Sequence, residues 1–237
     1  MFFLRREDTM NILALNGSPR RKGNTCHLVS EFFRGAREAG ARTEELRAEE
    51  LNLKYCRGCL RCNVLKRCSL SGDDWPDISA KILAADVLVF ASPVYFHHLS
   101  APLKKILDRF RSFIHVQITE EGLRHTPWQP WKKQIVLLLS LGSSRDDDAR
   151  PIRDLFDFLA GVLGPDTAVS TVVGTRLAVA NQVAMDAGEL RALYPKIGLP
   201  ETFAEEDYHR NRALLKKCYE LGSRLAQAEK VAGPDDQ

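Results

Sequence analysis

Long apolar runs are missing from this chain of 237 residues. The longest, such as Ile135–Leu139, suit a strand, whereas a helix needs about 20 apolar residues to cross a bilayer. The start, Met1-Phe-Phe-Leu-Arg-Arg-Glu-Asp8, has no signal-peptide apolar region. Strong charge imbalance is missing too, and a net charge of +3 is too small to argue for nucleic acid. There is no internal repeat and no low-complexity linker. Neither the Gly-x-Gly-x-x-Gly fingerprint nor the Gly-Lys-Ser/Thr of a Walker loop occurs. These absences predict a cytoplasmic protein with no membrane insertion and no nucleic-acid partner, in a compartment that keeps thiols reduced. Residues 1–9 read as a loose extension, because Met10 directly precedes the first apolar strand.

Four of the six cysteines crowd into Cys56-x2-Cys59-x2-Cys62-x5-Cys68. Thiolates this close can wrap one inorganic centre. A [4Fe–4S] cluster takes four cysteines, and the x5 spacer with no following proline lets all four serve the same cluster. Zinc prefers two separated C-x2–4-C knuckles, and metal-free structural thiols are a further reading. A redox C-x-x-C disulfide leaves two thiols over. Arg57, Arg61, Lys66 and Arg67 form a basic rim suited to offsetting cluster charge or docking an acidic carrier such as ferredoxin. Cys218 falls on an apolar helix face with Leu214, Leu215 and Leu221 and reads as core, and Cys26 reads as a packing residue.

Strands and helices alternate five times. Strands are expected at 11–15, 42–46, 86–92, 134–141 and 168–174. The helix from about Asn24 aligns Leu28, Val29, Phe32, Phe33 and Ala36 on one face and stops at Gly40. A helix capped by Asp73 or Asp74 runs to about Leu83. Pro102 opens one that buries Leu103, Ile106, Leu107 and Phe110. Another carries Ile152, Leu155, Phe156, Leu159 and Leu163, and the last spans about 205–228. Near-continuous apolar strands joined by helices imply a doubly wound five-stranded parallel sheet of flavodoxin type, with helices on both faces. One such domain is expected over 10–230, with a cysteine loop at 52–72. The stretches 115–133 and 176–204 exceed a minimal version and read as extra loops, either lids or surface excursions.

Ligands in such folds sit at the carboxyl ends of the strands. After the first strand, Asn16–Thr25 offers Ser18, Asn24 and Thr25 as hydrogen-bond donors, Arg20 as a cation and Gly23 for close backbone approach. That composition at a helix N-terminus attracts phosphate, although a capped polar turn is the plainer alternative. After the third strand, Pro93, Val94, Tyr95 and Phe96 set apolar and aromatic groups beside backbone amides, as an isoalloxazine ring requires. His97 and His98 point in different directions and read as non-metal residues. Gly142, in Leu141-Gly142-Ser143-Ser144, supplies a third polar loop at the same edge.

Ser18-Pro-Arg-x-x-Gly23-Asn24-Thr25, the cysteine run, Asp73-Asp74-Trp75, Ser92-Pro-Val-Tyr-Phe96 and Leu99-Ser-Ala-Pro-Leu-Lys-Lys-Ile-Leu-Asp108-Arg109 resemble the flavodoxin-like NAD(P)H-dependent FMN reductase superfamily. The compact cysteine motif resembles its iron–sulfur flavoproteins. The likeness covers about residues 10–145. It implies FMN held at its phosphate by Ser18, Arg20, Asn24 and Thr25, at its ring by Pro93 to Phe96, and completed by Gly142. It also implies a homodimer or tetramer with cluster and flavin close across an interface. The third loop departs from the family's usual Thr-Gly or Gly-Gly.

Three functions are compatible with these features. The first is an FMN-dependent oxidoreductase relaying electrons between a [4Fe–4S] cluster on Cys56, Cys59, Cys62 and Cys68 and the flavin, with NAD(P)H or ferredoxin as donor. The second is a cluster-free NAD(P)H-dependent FMN or quinone reductase. The third is a non-catalytic electron carrier or redox sensor.

Overall fold

The apolar strands assemble into one parallel sheet in the computed structural model, which describes residues 9–164 and 166–228. The strands are β1 (Asn11–Asn16), β2 (Arg42–Arg47), β3 (Val87–Pro93), β4 (Ile114–Thr119), β5 (Gly122–Pro127), β6 (Gln134–Ser140) and β7 (Ala168–Gly174). The helices are α1 (Asn24–Glu38), α2 (Cys62–Leu65), α3 (Trp75–Ala84), α4 (Ala101–Arg109), α5 (Arg150–Leu163), α6 (Ala187–Leu193) and α7 (Phe203–Gln227). Sheet order is β2-β1-β3-β6-β7, all parallel. The chain leaves β1 in one direction and returns on its other side, so the order reverses between β1 and β3. This is the flavodoxin-like arrangement expected from the alternation of strands and helices. Of the expected N-terminal extension over residues 1–9, residues 1–8 lie outside the described residues.

Side chains alternate across a strand, and here both faces are apolar. Leu13, Leu15, Leu88, Phe90, Leu137 and Leu139 join the core layer under α3, α4 and α5. Ile12, Ala14, Val87, Val89, Val136 and Leu138 join the layer under α1 and α7, where Cys218 is fully buried as expected. Each such Leu or Phe contributes about 1.5–3 kcal/mol of burial. Helices α1 and α7 touch through backbone. A Cβ on Gly35 would fall 2.0 Å from the Tyr219 carbonyl oxygen, and one on Gly222 would fall 2.0 Å from that of Phe32.

Much of the stretch 115–133 is strand, and residues 128–133 have no regular structure. β4 and β5 pair antiparallel as a separate hairpin. Ile114, Val116 and Ile118 alternate with His115, Gln117 and Thr119, the period of a strand, and Gly122 takes the left-handed φ of +128° at the turn. Beyond the hairpin, Trp131 is buried against Phe110 and Phe113. The stretch 176–204 also holds a helix. Asp186 and Glu189 form a reciprocal capping box that opens α6, a signal present in the sequence as Asp-x-x-Glu.

Asp74 occupies the N-cap position of α3 without a side-chain capping bond. Its carboxylate accepts from Asn52 N–H at 2.7 Å. Asp73 accepts from Lys54 N–H at 3.0 Å and from Arg109. The irregular backbone entering the cysteine loop needs acceptors, and these two aspartates supply them.

Candidate functional site

Register aligns Asn16 with Ala91, Pro93 with Ser140, and Ser140 with Gly174. The loops that follow β1, β3, β6 and β7 therefore meet at one sheet edge. The first loop is fixed by its own side chains. Asn16 Oδ1 accepts from Ser18 N–H at 2.9 Å, and Ser18 Oγ accepts from Arg20 N–H at 3.3 Å. A Cβ on Gly23 would lie 2.9 Å from Ser18 Oγ and 3.1 Å from the Arg20 carbonyl, so a larger residue would open the turn. Thr25 and Ser140 share a buried hydroxyl–hydroxyl bond of 2.7 Å, which ties α1 to the end of β6.

Ser18, Arg20, Gly23, Asn24 and Thr25 line one cleft with Pro93, Val94, Tyr95 and Gly142. The three expected loops thus converge. Sequence reading missed Ser140, Leu177 and Ala178 on the same wall. Asn24 brings the last two there. Its Nδ2 donates to the carbonyls of Leu177 (3.0 Å) and Val179 (2.8 Å), and its Oδ1 accepts from Val183 N–H (2.9 Å). Its amide is therefore committed to the 177–183 segment, while Arg20 reaches the Ala178 carbonyl from an exposed position.

Phe96 is a correction. Tyr95 and His98 exchange backbone hydrogen bonds of 3.0 Å across a tight turn, with Phe96 and His97 at φ 48° and 61°. That reversal turns the Phe96 ring fully into solvent, away from the cleft lining. His97 Nδ1 lies 3.1 Å from the Asp148 carbonyl oxygen, and His98 Nδ1 accepts from Leu99 N–H. Cys26 differs from its expected packing role. Asn16 Nδ2 and Arg47 Nη1 donate to its sulfur at 3.4 Å, and it donates to the Arg20 carbonyl at 3.1 Å.

The lining combines the Arg20 guanidinium and the polar groups of the first loop with Val94, Tyr95 and Leu177, a mixture suited to the phosphate and the planar ring of FMN.

The cysteine loop follows β2. Gly58, Leu60 and Lys66 adopt left-handed φ values of 62°, 56° and 53°, which curl the backbone as the short spacers require. Cys56, Cys59, Cys62 and Cys68 line a common cavity together with Arg109, Arg111 and Ser112. All four are free thiols. Hydrogen bonds from Arg61 N–H and the Ser69 hydroxyl hold Cys59 below the usual thiol range, whereas burial raises Cys62. Among the described residues, no three Cys, His, Asp or Glu side chains stand close enough to hold a metal ion as they are. The donor set nonetheless fits an iron–sulfur centre: four soft ligands face one space that is rimmed by cations. Arg57, Arg61, Lys66 and Arg67 are exposed around it.

Residues 10–179 match the family model for NADPH-dependent FMN reductase. An iron–sulfur flavoprotein of Methanocaldococcus jannaschii is 38% identical over 102 residues, covering 43% of this chain and 52% of that protein. One from Methanosarcina thermophila is 31% identical over 100 residues, covering 42% of this chain and 52% of that one. The chain thus spans about half the length of the curated relatives it matches. An NAD(P)H:quinone oxidoreductase from Methanothermobacter marburgensis has the same fold, with a TM-score of 0.63 at 15% identity over 93% of this chain and 99% of that one. Among the described residues, no helix is long and apolar enough to cross a membrane. With the sheet order and the family match in agreement, the chain belongs to the NADPH-dependent FMN reductase family, alongside relatives named iron–sulfur flavoproteins.

Proposed function

We propose that this chain is an FMN-dependent oxidoreductase that relays electrons between the flavin and a [4Fe–4S] cluster. The observation that carries this reading is the pairing of two sites on one chain: the three-loop cleft and the cavity lined by Cys56, Cys59, Cys62 and Cys68. Arg20 and Ser18, with the backbone N–H groups of their turn, would hold the phosphate. Val94 and Tyr95 would flank the ring, and Gly142 and Ala178 would close its far side. Asn24 and Thr25 act by fixing the walls. Bound FMN exchanges electrons singly or in pairs, and a cluster exchanges them singly. The exposed basic residues around the cysteines suit an acidic one-electron carrier such as ferredoxin, and NAD(P)H is the alternative donor. Exposed Ile118 and Leu123 on the β4–β5 hairpin, with Phe158 on α5, suit burial in a homodimer or larger assembly.

A second reading, a cluster-free NAD(P)H-dependent FMN or quinone reductase, is favoured by the present separation of the thiols. Anaerobic purification with iron, sulfide and flavin analysis separates the two. The relay requires about four irons per chain beside FMN. FMN with no iron or sulfide, together with steady NAD(P)H oxidation, would leave the second reading standing alone.

A further inference from the structure

Arg109 and Asp73 form an ion pair whose side chains are both fully buried. Arg109 Nη1 donates to Asp73 Oδ2 at 2.6 Å and to the Lys54 carbonyl at 2.8 Å. The guanidinium lies over the Trp75 indole, 5.0 Å from its centroid. Its Nε and Nη2 are buried with no hydrogen-bond partner among the described residues. The same side chain lines the cavity of the four cysteines. Donors of a buried cation left unmade are costly, so a fold that holds them in place marks room for an anionic acceptor.

Arg111 differs in this respect. Its Nη1 donates to the Ile114 carbonyl at 2.9 Å and approaches Cys62 Sγ at 3.6 Å, while its Nη2 donates to Asn63 Oδ1 at 3.0 Å. Arg111 is engaged with the surrounding frame, whereas Arg109, which lines the same cavity as the thiols, has two donors without partners among the described residues. Asp73 fixes the guanidinium plane and balances its charge, which leaves directional N–H groups as its means of acting on the cavity.

We propose that Arg109 is a positioning residue for the redox centre, donating from Nε and Nη2 to the sulfur atoms of a cluster held by Cys56, Cys59, Cys62 and Cys68. This inference rests on the cluster reading above. Uptake of one electron from an external one-electron reductant (dithionite in the assay) makes the centre more negative, with no bond formed or broken. Hydrogen bonds to the sulfurs strengthen with that charge and raise the reduction potential.

The test is a dye-mediated redox titration of anaerobically prepared Arg109→Lys protein, followed by electron paramagnetic resonance. Lysine keeps the charge beside Asp73 but loses the planar fork. At a fixed potential the reduced-to-oxidised ratio should fall at least tenfold, about 59 mV for a one-electron couple. An unchanged potential with full iron and sulfide overturns the role of Arg109 and leaves the cluster reading intact. Wild-type protein without iron and sulfide overturns both. If Arg109→Lys does not fold, wild-type holoprotein carrying 15N-arginine decides by pulsed resonance on the reduced centre. An arginine-nitrogen coupling that persists in Arg111→Gln is expected, and its absence overturns the proposal.

Discussion

Asn24 Oδ1 accepts a hydrogen bond from Val183 N–H at 2.9 Å, joining the start of α1 to a segment far along the chain. Through this bond and its two companions, Asn24 helps hold Leu177 and Ala178 against the cleft. Asn24→Ala leaves the buried Val183 N–H and the Leu177 carbonyl without these partners. We expect a loss of about 1–3 kcal/mol of stability in urea unfolding and faster hydrogen exchange across 177–183. An unchanged exchange rate there would refute the fastening role.

Arg20 reaches the cleft from solvent and carries its nearest positive charge in the loop after β1. Arg20→Gln should weaken FMN binding about 10- to 100-fold, the size of one lost charge-assisted bond. Riboflavin, which lacks the phosphate, should bind both proteins alike. Fluorescence titration with the two ligands checks this, and equal losses for both would point to a distorted cleft.

Cys59 is the most exposed thiol of the run and the one held below its usual range. In anaerobic preparations, Cys59→Ala should lose most iron and sulfide while retaining FMN, because the two sites draw on different loops. Full retention of iron would remove Cys59 from the ligand set.

Lys133 donates to the carbonyls of Leu83 and Ala85 at the end of α3. Burial lowers its pKa to about 8, against the opposing pull of Asp86. A free lysine titrates near 10.4, so between about pH 8 and 10.4 the unfolded chain binds more protons at this site. Its contribution to stability therefore rises with pH across that window, by at most about 1.4 kcal/mol per pH unit. Below pH 8 the cost of burying the charge is fully present. The pH dependence of unfolding, wild type minus Lys133→Met, should show this slope, and a flat difference would contradict it.

The near-continuous apolar runs of β1, β3 and β6 determined the centre of the sheet from sequence alone, because a strand buried on both faces needs such a run. Cysteine spacing likewise determined that four thiols share one loop, and the groups between Asn16 and Thr25 marked one wall of the cleft. The hairpin at β4–β5 and the capping box of α6 were also written locally, in period-two alternation and in Asp-x-x-Glu, within stretches that polar residues made look irregular. Tertiary structure alone decided the rest. Leu177 and Ala178 enter the cleft because Asn24, Arg20 and the Leu141 carbonyl meet their segment across the fold, and Phe96 leaves it because two left-handed residues reverse the turn. Arg109 ends helix α4, yet the arrival of Asp73 and Trp75 fixes its plane beside the cysteines. Local pattern encodes which face a residue takes. The partner that side chain meets depends on how distant elements pack, and no short window of sequence contains both.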